Sequence, residues 1–245
     1  MLAILGGSGL SNLSSLEGVR RAVVSTPYGE PSSALSFGRV GGREVVFLAR
    51  HGEAHTIAPH RINYRANIWA LKEAGATDII AVATVGGIRS EFGPGALAVP
   101  DQILDYTWGR ESTFFEGAGQ KVVHIDFTEP YSARMRSRIL AAAAACGEAV
   151  ATRAVYATTQ GPRLETAAEI ARLERDGADL VGMTGMPEAA LAREAELDYA
   201  ALAVVANHAA GRGESAQGIS LERIEAVLAQ AMDRVRRIIV QLVAG

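Results

Sequence analysis

The stretch DIIAVATVGG, residues 78–87, decides the fold class. Its first eight residues are nearly all apolar and show no alternation of apolar and polar positions. Continuous runs of this kind are typical of strands covered on both faces, as in α/β proteins whose helices flank a central sheet. Residues 78–85 are therefore predicted to form a buried strand that runs into Gly86 and Gly87.

Similar apolar segments recur along the chain and alternate with segments in which apolar residues fall at helical spacing. Further strands are predicted at residues 2–5, 97–100, 122–127, 153–159, 179–183 and 199–207, with a hairpin at 35–49. Helices are predicted at residues 62–74, 132–146, 165–176 and 187–197, and from 220 onward. The chain shows no repeat, linker or break in composition, so residues 1–245 are predicted to form one α/β domain with a mixed sheet flanked by helices.

Composition narrows the range of partners. The 245 residues are 49% hydrophobic and carry a formal net charge of −3, with neither sign concentrated in a long run. This balance argues against nucleic acid or an anionic membrane as the main partner, since both favour a basic face. The single cysteine, Cys146, excludes an internal disulfide and a cysteine-clustered zinc site. The N-terminus lacks a signal-peptide pattern and no apolar run reaches ~20 residues, so we expect a soluble cytoplasmic protein.

Five of the predicted strands end in small or polar residues. These ends are GGSG (6–9), RHG (50–52), TVGG (84–87), MTGMPE (183–188) and NHA (207–209). Ligands of open α/β sheets bind outside the carboxyl ends of the strands. We therefore expect the five ends to converge on a single ligand site.

The Arg50-His51-Gly52 segment leaves two interpretations open. Arg-His-Gly behind a hydrophobic strand is the opening signature of histidine phosphatases, in which the histidine becomes phosphorylated. The same residues also place two phosphate-binding side chains beside a backbone that is free to bend. A metal site of His51, His55 and His60 is disfavoured, because Gly52 and Pro59 prevent one helix from presenting them together.

Single residues at the other strand ends also suit a small polar ligand. The GGSG segment lacks the spacing of a dinucleotide-binding fingerprint, but its amides and the Ser8 hydroxyl can surround an oxyanion. Thr84 adds a further hydroxyl. Glu165 is expected at the start of a helix, where a carboxylate favours the helix dipole. Asn207 follows an apolar strand, and its amide both donates and accepts, as recognition of a purine edge requires.

Several longer segments together resemble the methylthioadenosine/purine nucleoside phosphorylase family. They are GGSGL (6–10), TPYGEPS (26–32), ARHGEAHTIAPHRINYRANIWALKEAGA (49–76), ATVGGI (83–88), HIDFTEPY (124–131), TQGPRLETAAE (159–169) and GMTGMPEAALARE (182–194). The matches follow the family's order over most of the chain. The resemblance implies a mixed-sheet α/β fold, a homotrimer, and reversible phosphorolysis of a nucleoside by inorganic phosphate. It implies no cofactor and no metal.

The resemblance also implies roles for single residues. Phosphate would be bound by Ser8, Arg50, His51, Ala83, Thr84 and Thr184. Met183 would lie beneath the ribose, and His51 and Asn207 would take part in catalysis. Phosphate binding by His51 is thereby favoured over a phosphohistidine, since histidine phosphatases carry Arg-His-Gly on their first strand.

This chain differs from the adenine-specific branch of the family in the residues that would bind the purine. That branch carries two aspartates at the end of the last core strand, where this chain has Asn207, His208 and Ala209, and the resemblance implies that these three residues bind the substrate. The 6-oxopurine enzymes have an asparagine at the first position and a glutamate where this chain has Glu165. A carboxylate accepts from N1–H of a 6-oxopurine but meets a lone pair at N1 of adenine. We therefore expect a preference for 6-oxopurines.

Two further matches concern the 5′ group of the ribose. His124 matches a segment that the methylthioadenosine branch contributes from the neighbouring subunit, and Ile219 matches the apolar pocket for a methylthio group. Together they imply S-methyl-5′-thioinosine as the substrate. Inosine, guanosine and methylthioadenosine remain alternative substrates. A hydrolytic nucleosidase, a histidine-type phosphatase and a non-catalytic nucleotide-binding module remain alternative functions.

Overall fold

The computed structural model describes residues 1–10, 12–117 and 119–245. Its strands are β1 (Leu2–Gly6), β2 (Glu17–Ala22), β3 (Leu35–Val40), β4 (Arg43–Ala49), β5 (Asp78–Gly87), β6 (Leu97–Ala98), β7 (Gln102–Tyr106), β8 (Val155–Thr159), β9 (Leu180–Gly182) and β10 (Asp198–His208). Its helices are α1 (Tyr64–Glu73), α2 (Ala133–Ala145), α3 (Ala167–Arg175), α4 (Gly185–Glu194) and α5 (Leu221–Ala244). Short 3₁₀ turns cover Pro59–Arg61 and Gly213–Ser215.

The strands form one mixed sheet. Their order is β2-β3-β4-β1-β5-β9-β8-β7, and β10 pairs with β5 and β6. The pairs β1–β4, β1–β5 and β5–β10 are parallel, whereas β2–β3, β3–β4 and β5–β9 are antiparallel. The mixed-sheet α/β fold predicted from the sequence is confirmed.

Strand β5 explains the continuous apolar run that begins at residue 78. It pairs with β1 on one side and with β10 on the other, and nearly all of its residues are buried. Helices cover both faces of this part of the sheet. In β1, Leu2 and Ile4 pack into the layer that contains α2 and α5, whereas Ala3 and Leu5 pack into the layer that contains α1 and α4. Both faces must therefore be apolar.

Polar caps determine where the helices begin. Asn63, Ser132, Thr166 and Ser220 each accept a hydrogen bond from a backbone N–H in the first turn that follows. Thr166 also forms a reciprocal capping box with Glu169. Helix α3 thus begins after Thr166, so the prediction that Glu165 lies at the helix start is wrong. Glu165 belongs to the preceding loop, where its side chain can face a ligand.

The segment between β7 and α2 also differs from the prediction. Residues 122–127 form no strand but belong to a largely exposed irregular stretch.

Strand β2 could not be predicted from the sequence. It lies at the edge of the sheet with most of its residues exposed, so it has no alternation of apolar and polar residues. No helix in the described part of the chain is long and apolar enough to cross a membrane.

Gly87, at the end of β5, has no room for a side chain. A Cβ at this position would lie 1.8 Å from the carbonyl oxygen of Phe92, whereas a Cβ at nearby Gly93 would meet nothing closer than 3.8 Å. Because the obstacle is backbone, we expect Gly87→Ala to destabilise the fold by about 3 kcal/mol, which lowers Tm by about 6–12 °C. Gly93→Ala is the matched control and should melt close to the wild type. Equal melting temperatures for the two variants would contradict this close approach.

Candidate active site

The five strand ends meet at one pocket of about 150 Å³. The residues with predicted roles that line it are Ser8, Arg50, His51, Thr84, Glu165, Met183, Thr184, Asn207, Ala209 and Ile219. They come from segments far apart in the sequence. The parallel strands β1, β4, β5 and β10 bring most of them to a common edge, as open α/β sheets do.

Arg50 is the most deeply buried charged side chain of the pocket, with 1% of its surface exposed. Its Nε and Nη2 donate to the two carboxylate oxygens of Glu188 at 2.6 and 2.8 Å, and its Nη1 donates to the Val82 carbonyl at 2.9 Å. Burial opposes the charge, but the adjacent Glu188 carboxylate more than offsets this and raises the pKa of Arg50. Among the described residues, three of the five guanidinium N–H groups are thus engaged and two can donate to an anion.

Glu188 is a member of this site that the sequence-based assignment lacks. It lies on α4, is 1% exposed, and also accepts a hydrogen bond from the Tyr199 hydroxyl at 2.8 Å. A signal for it exists in the run PEAALA, where a single carboxylate occurs among small apolar residues. A glutamate in such a buried run must find a cation or several donors.

The GGSG turn after β1 lies directly against Arg50. A Cβ at Gly7 would come within 2.5 Å of the Val82 carbonyl oxygen and 2.9 Å of Arg50 Nη1, so only glycine allows the guanidinium to reach this position. The Thr84 hydroxyl donates to the Ser8 carbonyl oxygen at 2.9 Å. Thr84 therefore ties the turn to β5, and the Ser8 hydroxyl lies at the pocket wall.

His51 is held as a neutral imidazole. Its Nδ1 lies 2.9 Å from the Ile57 carbonyl oxygen, so Nδ1 carries the proton and donates. Burial, reinforced by the charge of Arg50, lowers the pKa of His51 to about 4. The ring centroids of His55 and His51 lie 4.6 Å apart. The Nε2 atom of His55 is 3.3 Å from the Ser8 hydroxyl oxygen. His55 adopts a left-handed backbone conformation with φ of 53°, which is costly for a residue other than glycine.

Glu165 and Asn207 line another part of the pocket. The Thr159 hydroxyl donates to one Glu165 carboxylate oxygen at 2.6 Å, and no other side chain among the described residues donates to this carboxylate. Burial raises the pKa of Glu165, and the hydrogen bond from Thr159 opposes this effect. Asn207 follows a bulge in β10, where Val205 pairs with Val85 and Asn207 with Gly86. A bulge redirects the side chains that follow it, which brings the Asn207 amide into the pocket.

Apolar side chains complete the pocket. Met183 packs against Gly161, where a Cβ would come within 2.5 Å of the Met183 sulfur. Ile219 is joined by Ile224 from the first turn of α5 and by Leu164 from the loop before α3. Ile224 and Leu164 have no predicted role, because neither stands out from ordinary core residues in the sequence.

Three residues with predicted roles do not line this pocket. Ala83 is buried within β5. His208 points to the opposite side of β10 and lines a separate cavity beneath the loop that contains Gly213–Ser215. His124 is exposed on the irregular segment before α2. In the described residues, no group of three or more His, Cys, Asp or Glu side chains is placed to hold a metal ion.

Comparison with known proteins places this pocket in a known class. The family model described as "Phosphorylase superfamily" matches residues 1–244, and the chain belongs to that family. It is 53% identical over 244 residues to a probable S-methyl-5′-thioinosine phosphorylase of Xanthomonas campestris, covering 100% of this chain and 97% of the relative. It is 48% identical over 215 residues to a 6-oxopurine nucleoside phosphorylase of Pyrococcus furiosus, covering 86% of this chain and 80% of that one.

Solved structures agree with this assignment. A methylthioadenosine phosphorylase from Schistosoma mansoni in complex with adenine superposes with a TM-score of 0.93 at 35% sequence identity. The superposition covers 99% of this chain and 90% of that structure. The resemblance to the methylthioadenosine/purine nucleoside phosphorylase family is therefore confirmed.

Removal of the carboxylate charge at Glu188 should show how strongly the pocket depends on the ion pair. We expect Glu188→Gln to lower the free energy of unfolding by about 3–5 kcal/mol, because it leaves the Arg50 charge buried without a counter-ion. The control is Glu214→Gln, which removes an exposed partner of Arg223. The control variant should lower the free energy of unfolding by less than ~1 kcal/mol. Urea denaturation measures both, and a small loss for Glu188→Gln would contradict a stabilising role for the pair.

The lowered pKa of His51 predicts a pH-dependent stability. The folded state keeps His51 neutral down to pH of about 4, whereas an unfolded histidine gains its proton near pH 6.5. The stability of the folded state that depends on neutral His51 is therefore fully present above pH ~6.5. It is lost as the pH falls towards ~4, which lowers the free energy of unfolding by about 3 kcal/mol in total. The difference in unfolding free energy between wild type and His51→Gln should follow this curve. A difference that does not change between pH 7 and pH 4 would contradict it.

Proposed function

We propose that the protein catalyses the reversible phosphorolysis of S-methyl-5′-thioinosine to hypoxanthine and 5-methylthioribose 1-phosphate. One observation carries this proposal. A single pocket contains the Ser8, Arg50 and His51 side chains, suited to an anion, together with Glu165 and Asn207, suited to a 6-oxopurine. The names of two relatives, a probable methylthioinosine phosphorylase and a 6-oxopurine nucleoside phosphorylase, support the same reaction.

In the proposed reaction an oxygen of phosphate attacks C1′ of the sugar as the C1′–N9 bond breaks. The bonding pair leaves with the purine, which gains one proton to become neutral hypoxanthine, while hydrogen phosphate loses one proton on becoming the sugar phosphate ester. The two remaining N–H groups of Arg50 and the Ser8 hydroxyl hold the phosphate, and Thr184 and the backbone near Ala83 and Thr84 complete its site. The neutral His51 accepts at Nε2 from the P–OH of hydrogen phosphate. Fixing the nucleophile in this way is mainly a positioning effect.

The base-binding residues provide both catalysis and specificity in this proposal. The Glu165 carboxylate accepts from N1–H of hypoxanthine. Asn207 donates one amide hydrogen to the His208 carbonyl at 2.6 Å, which leaves the second to donate to N7 or O6. Such a donor stabilises the negative charge that develops on the departing purine. Glu165 is the one carboxylate among the described lining residues, so the paired aspartates of an adenine site have no counterpart.

The proposal extends to the 5′ group and to the assembly. Ile219 and Ile224 line the pocket and suit a methylthio group better than a hydroxyl. We propose a homotrimer in which His124 covers this group in the neighbouring subunit. In support, the irregular segment around His124 exposes Val122 by 78% and Val123 by 41%, as a segment that packs on another chain would. The reaction needs no cofactor or metal, and its proposed location is the cytoplasm.

The test compares purine release from methylthioinosine, inosine and methylthioadenosine at saturating phosphate. We expect kcat/KM for methylthioinosine to exceed that for methylthioadenosine by ~100-fold or more, because adenine presents a lone pair to Glu165. The kcat/KM for methylthioinosine should also exceed that for inosine by ~10-fold or more, because inosine places its 5′-hydroxyl against the apolar side chains of Ile219 and Ile224. Comparable release of adenine would contradict the base assignment, and comparable use of inosine would contradict the methylthio assignment.

Glu165→Gln makes the same test residue-specific. The amide can present an N–H instead of an oxygen to N1, so kcat/KM for methylthioinosine should fall by ~100-fold while that for methylthioadenosine falls less or rises. Glu73→Gln, which alters an exposed carboxylate on α1, is the control and should leave both values unchanged. An equal fall of kcat/KM for the two substrates would show that Glu165 does not distinguish them by a hydrogen bond to N1.

A further inference from the structure

The irregular segment between β7 and α2 contains an arginine that supports two walls of the pocket from behind. Arg110 does not line the pocket, yet among the described residues its guanidinium reaches four backbone carbonyls. Nη1 donates to the carbonyls of Met183 at 2.9 Å and Met186 at 2.5 Å. Nη2 donates to those of Thr159 at 3.3 Å and Gln160 at 2.9 Å.

The four carbonyls belong to two segments, each with a separate function in the pocket. Thr159, the last residue of β8, and Gln160 lead into the loop that carries Glu165. Met183, between β9 and α4, and Met186, in the first turn of α4, belong to the stretch that carries the ribose-facing and phosphate-facing residues. The guanidinium thus connects the part of the pocket proposed to bind the base to the part proposed to bind the sugar. Both loops leave neighbouring parallel strands, β8 and β9, at the same edge.

The loops also contact each other directly above this arginine. Gly161 packs closely against the Met183 side chain, and the Thr159 hydroxyl, which donates to Glu165 at 2.6 Å, also lies 3.3 Å from the Gly182 carbonyl oxygen. A small shift between the loops would therefore move Glu165 relative to Met183. Gln160 and Met183 lie outside regular elements, so their carbonyls depend on the Arg110 side chain for hydrogen bonds, whereas Thr159 also pairs with Tyr106 in the sheet.

Arginine is specifically suited to this position. The Arg110 guanidinium lies 5.4 Å from the centre of the Tyr64 ring, and Nε also donates to the Gln160 side-chain oxygen at 3.1 Å. Five N–H groups in one rigid plane reach acceptors in several directions at once, which the three N–H groups of a flexible lysine do not. The adjacent backbone is fixed as well, because Thr113 and the Phe114 amide both donate to Glu194 at 2.7 Å.

We propose that Arg110 is a positioning residue that sets the distance between the base-binding and the ribose-binding loops. It touches no substrate atom and acts through the backbone of these loops. Its effect on kinetics rests on the proposed function. Its effect on the loops is a property of the fold and is measured separately.

The experiment compares Arg110→Lys with Arg136→Lys. Arg136 is a matched control because its guanidinium also donates to backbone carbonyls, those of Pro100, Val99 and Thr152, but outside the pocket. The first readout is hydrogen–deuterium exchange of the amides in residues 159–165 and 183–187. Arg110→Lys should accelerate exchange there by ~10-fold or more, because the loops open more easily. Arg136→Lys should leave exchange in these residues at the wild-type rate.

The second readout is steady-state kinetics with methylthioinosine and phosphate. A displacement of about 1 Å in a residue that positions the substrate can lower the reaction rate by ~100-fold. Arg110→Lys should therefore reduce kcat/KM for the nucleoside by ~10- to 100-fold. The KM for the nucleoside should rise, whereas the KM for phosphate should change less than ~3-fold, because three of the four side chains proposed to hold phosphate, Ser8, Arg50 and His51, belong to other loops. A general loss of folded enzyme would lower kcat and leave both KM values unchanged.

The outcomes separate the two proposals. Wild-type exchange in Arg110→Lys, or the same changes in Arg136→Lys, would overturn the positioning role. Accelerated exchange without the split between the two substrates would also overturn it, since the loops would then move without consequence for the pocket. If the wild type releases no purine from methylthioinosine with phosphate, the proposed function fails, and the exchange comparison still decides whether Arg110 holds the loops.

Discussion

The buried ion pair between Arg50 and Glu188 is the constraint on which the pocket depends. Two charges taken out of water are stable only if their geometry is good and their remaining hydrogen-bonding groups are satisfied. Val82 and Tyr199 supply those additional bonds, so the pair links β4, β5, β10 and α4 at a single point. The absence of a side chain at Gly7 follows from the same requirement, since a Cβ would contact the guanidinium.

This arrangement also shapes the chemistry available to an anion. Glu188 compensates the charge of Arg50, and the lowered pKa of His51 keeps that residue neutral near pH 7. An anion in the pocket is therefore held by directed N–H and O–H donors more than by net positive charge. Directed donors fix the orientation of a nucleophile, which is what a displacement at C1′ requires. The other half of the pocket differs in character, because there the Glu165 carboxylate receives one side-chain donor, Thr159, among the described residues and can accept from a ligand.

Local patterns in the sequence were sufficient for the centre of the sheet and for much of the pocket, but not for β2 or β7. The continuous run in β5 predicts a strand covered on both faces, and the small residues after five strands predict their convergence. Partners that depend on three-dimensional proximity could not be predicted. Glu188 lies 138 residues from Arg50, and Arg110 occurs in an irregular segment without any periodic pattern. The bulge that redirects Asn207 and leaves His208 on the other side of β10 is likewise a property of strand pairing rather than of composition.

The fate of the sugar shows whether phosphate or water attacks when the reaction runs in ¹⁸O-labelled water with methylthioinosine and unlabelled phosphate. If the pocket around Arg50 holds the attacking phosphate, mass spectrometry should find 5-methylthioribose 1-phosphate without ¹⁸O at C1′, formed in step with hypoxanthine, and no purine release when phosphate is omitted. Free methylthioribose carrying ¹⁸O, or purine release that is independent of phosphate, would contradict phosphate attack in this pocket.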